Sequence, residues 1–206
     1  MAIVINGSGT VTGLAVGGLP DGTVDDGTVA SGIASSKLTG ALPAISGASL
    51  TAVGITEIDK WYLTTDLSVS DTVLTANLSR VTKDSWTTLG TGVSQSSGIF
   101  SFPSTGYWQI VLTSSWYIAS GSSRYLASRI LSTTNNSTYV KAKEEHTSMH
   151  SGGGTYATSQ TNYIFEVTNT SNDKVKSEFY AIGGAVLNGN ATSDGTTFTF
   201  IKLGAL

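Results

Sequence analysis

The chain has 206 residues, of which only 12% are charged, with 24 glycines, no cysteine and a formal net charge of −3. That length suits one ordinary domain with an extension, and the charged share is about half that of an average soluble domain. A disulfide framework or thiolate metal site is excluded, the scattered Lys and Arg offer no stripe to a phosphate backbone, and no run approaches the roughly 18 apolar residues of a membrane span, so neither nucleic-acid binding nor membrane insertion is expected.

The chain opens Met1-Ala2-Ile3-Val4-Ile5-Asn6-Gly7, which lacks the basic region of a secretory signal, so synthesis and folding in a cytoplasm are expected. No aromatic residue precedes Trp61. Aromatic side chains supply much of a core's buried area, so residues 1–60 are poorly equipped to build one. They repeat small motifs instead: Asp21-Gly22-Thr23-Val24 recurs as Asp26-Gly27-Thr28-Val29, and Thr12-Gly13 before Leu19-Pro20 recurs as Thr39-Gly40 before Leu42-Pro43. Glycine at this density weakens helices and isolated strands, yet single apolar residues keep returning. This pattern predicts an extended arm over residues 1–56 that lays a narrow apolar edge against a partner, with Ile3, Val4, Ile5, Val11, Leu14 and Leu19 as its attachment residues. Gly7-Ser8-Gly9 after Ile3-Val4-Ile5 imitates a dinucleotide fingerprint, but Thr12 stands where the third glycine is required. No cofactor is expected.

From residue 57 onward the reading is strands and turns. Candidate strands are 61–67, 73–82, 107–113, 125–133, 163–168, 175–182 and 196–203, rich in β-branched and aromatic residues and bounded by Gly, Ser and Asn. Residues 139–146 fit a helix or a strand equally well. Many short strands separated by such turns imply an antiparallel sandwich or jelly roll. The fold class expected is all-β, with residues 57–206 as the globular part.

One stretch carries a more particular pattern. Residues 98–110 read Gly98-Ile99-Phe100-Ser101-Phe102-Pro103-Ser104-Thr105-Gly106-Tyr107-Trp108-Gln109-Ile110. Pro103 fixes φ and Gly106 permits a positive φ, so the chain can turn sharply between a strand carrying Phe100 inward and the next strand. This G-x-F-x-x-P-x-x-G spacing resembles the globular head of the complement recognition subunit, a ten-stranded jelly roll related to tumour necrosis factor. Trp86-Thr87-Thr88-Leu89-Gly90 falls where that family has a short turn, and Phe198-Thr199-Phe200-Ile201-Lys202-Leu203-Gly204 resembles its last strand, which runs beside a trimer axis. The resemblance implies a trimer. Phe198, Phe200, Ile201 and Leu203 cannot share one face of a strand, so both faces must be covered, and these four are the expected trimer interface. The leader, with Gly18-Leu19-Pro20-Asp21-Gly22 and Lys37-Leu38-Thr39-Gly40-Ala41-Leu42-Pro43, is similar to N-terminal segments of tail-fibre-type proteins of bacteriophages, especially aquatic ones.

Catalytic patterns are missing: there is no G-x-S-x-G elbow and no H-E-x-x-H. Lys141, Lys143, Glu144, Glu145, His146 and His150 form the one concentrated polar cluster. His146 and His150 are weak metal candidates beside the plainer reading of a solvated strand end, and no metal is expected. Tyr117, Tyr125, Tyr139 and Tyr156 lie near turns, where rings serve either core or adhesion. The function expected is a non-enzymatic virion structural protein, a homotrimeric fibre whose arm docks on coat or tail proteins and whose head faces a host cell-surface glycan or protein. The alternative is a capsid decoration or cement protein.

Overall fold

A computed structural model describes residues 54–82, 86–192 and 194–206, with two short strands nearer the N-terminus. By internal contacts the chain divides into two units, Met1–Ser49 and Leu50–Leu206. In the first unit β1 (Val4–Ile5) pairs antiparallel with β2 (Val11–Thr12), setting Val4 opposite Thr12 and Ile5 opposite Val11. The expected attachment residues Val4, Ile5 and Val11 therefore sit in a hairpin ladder. Ile3, Leu14 and Leu19 lie outside the described residues.

Among its described residues the second unit holds eleven strands: β3 (Ile58–Leu63), β4 (Thr65–Ser68), β5 (Thr72–Val73), β6 (Leu78–Arg80), β7 (Ser94–Ser96), β8 (Ile99–Ser101), β9 (Gly106–Thr133), β10 (Val140–Val167), β11 (Lys174–Ala181), β12 (Val186–Asn190) and β13 (Thr197–Gly204). Every pairing is antiparallel, and no helix occurs among the described residues. The all-β jelly-roll expectation holds. Two expected strands are broken, however: residues 61–67 divide at Thr64 into β3 and β4, and residues 73–82 divide around Asn77, whose φ of 60° ends one segment before β6 begins. Of residues 139–146, all but Tyr139 belong to strand β10.

The larger departure concerns β9 and β10. Residues 107–113 and 125–133, expected as separate strands, are the two ends of the 28-residue β9, paired along its length with the 28-residue β10. This ribbon cannot be straight. Ser128 Oγ donates to Ser114 Oγ at 2.8 Å although both lie in β9, whereas fourteen residues of straight strand would separate them by about 46 Å. The ribbon doubles over where Gly152 and Gly153 face Gly121 and Ser120. Gly121 (φ +90°) and Gly154 (φ +65°) take the left-handed backbone needed there, and the register shifts between Thr147 and Gly152 let one strand run around the outside of the corner.

Doubling creates the two layers. The first half of β9 pairs with β13, which pairs with β3; the second half pairs with β11; β12 joins near the middle. Along residues 106–118 of β9 buried and partly exposed positions alternate without exception, the period-2 signature of a strand with one covered face. Trp108, Ile110, Leu112 and Trp116 point into the core. Phe100 is the hub of the aromatic cluster, with ring centroids 5.9 Å from Trp61, 5.3 Å from Phe198 and 4.8 Å from Phe200. The two core indoles find partners: Trp108 Nε1 donates to the Ser104 carbonyl at 3.1 Å and Trp116 Nε1 to Ser159 Oγ at 3.4 Å.

A buried carboxylate fixes the loop that precedes β7. Asp59 accepts from the Val93 N–H (3.0 Å), the Lys60 N–H (2.9 Å), Trp61 Nε1 (2.9 Å) and Thr88 Oγ1 (3.2 Å), and Arg80 Nε lies 3.1 Å away. A desolvated carboxylate is tolerable only with such a full set of donors.

The glycines of the 98–106 pattern have separate reasons. Gly98 has φ +77°, and a Cβ there would stand 1.8 Å from the Leu74 carbonyl oxygen; Gly106 has φ +138°, and a Cβ would stand 2.3 Å from that of Gly204. Gly98→Ala and Gly106→Ala should each cost about 2–3 kcal/mol through backbone strain plus displacement of the neighbouring backbone. Urea unfolding monitored by tryptophan fluorescence measures this, and midpoints equal to wild type would contradict it.

Candidate interaction faces

Each layer has an outer face, and the two differ in chemistry. On the first, strand register sets Ile58, Lys60 and Tyr62 of β3 beside Ile201, Thr199 and Thr197 of β13, then beside Gln109, Val111 and Thr113 of β9. β10 completes it with Tyr156, Thr158, Gln160, Asn162, Ile164 and Glu166. Among the described residues the charges on this face are those of Lys60, its partner Asp194, and Glu166. Lys60 is neutralised by Asp194 at 2.8 Å, and Glu166 lies at the rim, where the Tyr107 hydroxyl donates to it at 3.4 Å. The rest is apolar or amide and hydroxyl: Gln109 Nε2 donates to Asn162 Oδ1, Gln160 Nε2 donates to Thr113 Oγ1, and the Tyr117 and Tyr156 rings lie 4.8 Å apart. Ile164 is 55% exposed, Leu203 46% and Tyr156 64%.

Among the described residues β10 pairs with β9 alone, so its other edge is open. Residues 155–167 along that edge contain no Lys, Arg or Pro and one acid, Glu166. Lysine, proline and bulges are the usual means of keeping an edge from pairing.

The C-terminal strand corrects one expectation. Phe198 and Phe200 lie on the inner side of β13, buried against Phe100 within the protomer, and are closed to a neighbouring copy. Alternation along β13 sends Ile201 outward, and the register shift between Lys202 and Gly204 leaves Leu203 exposed. The mixture of faces arises because the strand's inner side belongs to its own core. Ile58, Ile164, Tyr107 and Val111, not singled out from the sequence, share the outer face with Ile201; only the cross-strand register brings them together.

The second layer's outer face is charged and aromatic. Arg129 of β9 is held by Glu144 of β10, Glu178 of β11 (2.9 Å) and Asp71 of the turn before β5 (2.7 Å). Partial burial pulls its guanidinium down, but the three carboxylates outweigh that and raise it above its ordinary range. Burial pushes Glu144 up; hydrogen bonds from Lys141 and Arg129 prevail and hold it below the usual carboxylate range. Lys143 pairs with Glu145 at 2.7 Å, and Lys176 Nζ lies 4.1 Å from the Tyr139 ring centroid. The His146 ring packs against Tyr125 with centroids 4.8 Å apart and the planes tilted by 36°, and it stands 3.9 Å from Glu144. His150, four residues on, is roughly 13 Å further along a strand. Among the described residues no three His, Asp or Glu side chains converge as metal ligands.

Neither a family model nor a curated protein sequence matches the chain. Among solved structures it is similar to murine APRIL. With the pH 8.5 crystal structure the TM-score is 0.50 at 14% identity, over 71% of this chain and 98% of that one. The pH 8.0 and pH 5.0 structures give 0.49 at 11% and 0.47 at 14% identity, with the same coverage. The fold is that of a tumour-necrosis-factor-like jelly roll, as the Gly98–Gly106 pattern implied.

The charged face generates a pH prediction. Because the folded state lowers Glu144, its contribution to stability is present above the unfolded carboxylate value of about 4.3 and is lost as pH falls through the folded value. Thermal melts of wild type and Glu144→Gln should differ at pH 7, and the gap should narrow progressively as pH falls below the unfolded carboxylate value of about 4.3. A gap that is constant with pH would contradict the assignment.

Proposed function

We propose that the chain is a non-enzymatic virion structural protein of a bacteriophage, a homotrimeric fibre. Residues 1–56 form its docking arm on coat or tail proteins, and the jelly-roll head, residues 57–206, faces the host surface. The observation that carries the self-association reading is the nearly uncharged outer face of β3, β13, β9 and β10 next to the open edge of β10, whose residues 155–167 carry one charge, Glu166. An edge of this kind aggregates unless something covers it, and a head-to-tail contact of edge on face closes into a ring of identical copies. The fold is one that often forms trimers. The non-enzymatic reading is favoured by the arrangement of the acids, which stand in ion pairs on an open sheet face rather than facing one another across a groove. The virion reading rests on the resemblance of the leader to phage tail-fibre segments.

Sedimentation equilibrium of the full chain should give a trimer. Ile164→Asp and Ile201→Asp should dissociate it with little loss of protomer fold, because both side chains point outward, whereas Phe200→Asp should unfold the protomer, since a buried unpaired charge costs several kcal/mol. A wild-type monomer at micromolar concentrations would overturn the trimer.

Deleting residues 2–55 should leave a folded trimer that no longer joins particles. Leaderless particles that stay intact but fail to adsorb indicate a fibre; particles that adsorb yet burst on heating indicate a cement protein. Incorporation of the leaderless chain at normal copy number would refute the docking role.

A further inference from the structure

The charged outer face carries an arrangement that neither core formation nor trimer assembly uses. Register sets His146, Ala127 and Tyr180 side by side across β10, β9 and β11, with Glu144, Arg129 and Glu178 in the next row on the same face. Ala127, the small residue at the centre of its row, is fully buried. Tyr125, two residues along β9, makes ring contacts with both flanking side chains, 4.8 Å from His146 and 5.4 Å from Tyr180. Three rings thus span three strands, a width of about 10 Å, on the solvent side of a sheet. The Arg129 guanidinium lies 5.8 Å from the Tyr180 ring at one side of this platform.

The polar groups beside the rings are fixed and already neutralised. Arg129 is clamped by carboxylates from three separate elements, so neither it nor they are free to reorient. Lys141, Lys143 and Lys176 are engaged by Glu144, Glu145 and the Tyr139 ring, and Lys174 donates to the Thr170 carbonyl. Among the described residues these cations of the face are thus committed, which disfavours a sulfated, sialylated or phosphorylated ligand. A carboxylate offers about four lone-pair sites, and the contacts of Glu178 and Asp71 use few of them, so acceptors for hydroxyl donors stand beside the exposed His146 ring and the half-buried Tyr125 and Tyr180 rings. A ligand matching this surface has an apolar C–H face to lie on the rings, hydroxyls to donate to the carboxylates, and no charge.

We propose that the Tyr125–His146–Tyr180 platform, with Glu178 and Arg129 at its side, is a binding site for the pyranose rings of a neutral glycan. This deepens the host-surface reading above by naming the ligand class and the site, and rests on that reading only for where the glycan is displayed. Binding is measured on isolated protein, so a failed trimer or failed virion assignment leaves this result standing, and the reverse also holds.

The full chain is applied to an array of neutral, sialylated and sulfated glycans, and neutral glycans alone are expected to retain it. Affinity for the best neutral glycan, measured by calorimetry, should fall about tenfold or more in Tyr125→Ala and in Tyr180→Ala. Tyr180→Phe keeps the ring and should bind nearly as wild type. Each variant is checked for an unchanged sedimentation coefficient and melting temperature; Glu178→Gln, which keeps the side chain's shape, provides a second reading of weakened binding should an alanine variant fail to fold. The proposal is overturned if wild type retains no neutral glycan, if it retains anionic glycans only, or if folded Tyr180→Ala and Glu178→Gln bind as wild type does.

Discussion

The structure depends on one constraint: a two-stranded ribbon of 28-residue strands that must double back on itself. At Gly121 and Gly152–Gly154 the chain gives up side chains, and with them the barrier to left-handed backbone, so that β9 and β10 can leave one layer and enter the other without breaking their ladder. Within the second unit this corner sets β13 and β11 in opposite layers, because they pair with opposite halves of the same strand. The interior seam is partly polar for the same reason. Ser114, Ser128, Ser159 and Thr161 line the inner side of the folded ribbon; Ser128 reaches both Ser114 and Ser159, and Thr161 Oγ1 donates to the Ser128 carbonyl. Small hydroxylic residues let the layers approach closely and satisfy one another within the core.

The doubling also gives the molecule its two outer faces. The first half of the ribbon shows solvent a surface of isoleucine, threonine, amide and tyrosine; the second shows paired charges and rings. A nearly neutral face loses little solvation when covered, so it suits burial between copies. Ion pairs already closed within the protomer gain little from a further protein partner, which leaves the charged face free for a ligand with hydroxyls. The two proposals thus use different surfaces and do not compete.

The sequence made some of this legible and concealed the rest for definite reasons. The pattern from Gly98 to Gly106 was readable because each residue has a local duty: two glycines at positive φ, a proline in the turn, Phe100 inward. Strand composition likewise marked 107–113 and 175–182. The corner was not readable, since Ala119-Ser120-Gly121-Ser122 and Gly152-Gly153-Gly154 have the composition of turns, and only the partner strand makes them a continuous ladder. Phe198 and Phe200 were expected at a subunit interface because a strand apolar on both sides must be covered twice; the first covering turned out to be its own core, around Phe100. Asp59 gave no signal at all. A lone aspartate before Lys60 and Trp61 looks like a surface charge until Thr88 and Val93, about thirty residues away, bring donors to it. The outer faces were hidden too, because membership of a face follows from register across strands distant in sequence.

The fold-back is tested most directly by a cross-link. The protein has no cysteine, so Ser114→Cys with Ser128→Cys introduces the only two thiols, from positions whose hydroxyl oxygens lie 2.8 Å apart. Mild oxidation of the doubly substituted protein, followed by peptide mapping, should recover one intramolecular disulfide joining the two ends of β9, with the far-ultraviolet spectrum unchanged. Two free thiols in folded protein, or disulfides formed only between chains, would show that the ribbon does not close on itself and would remove the basis for both layers.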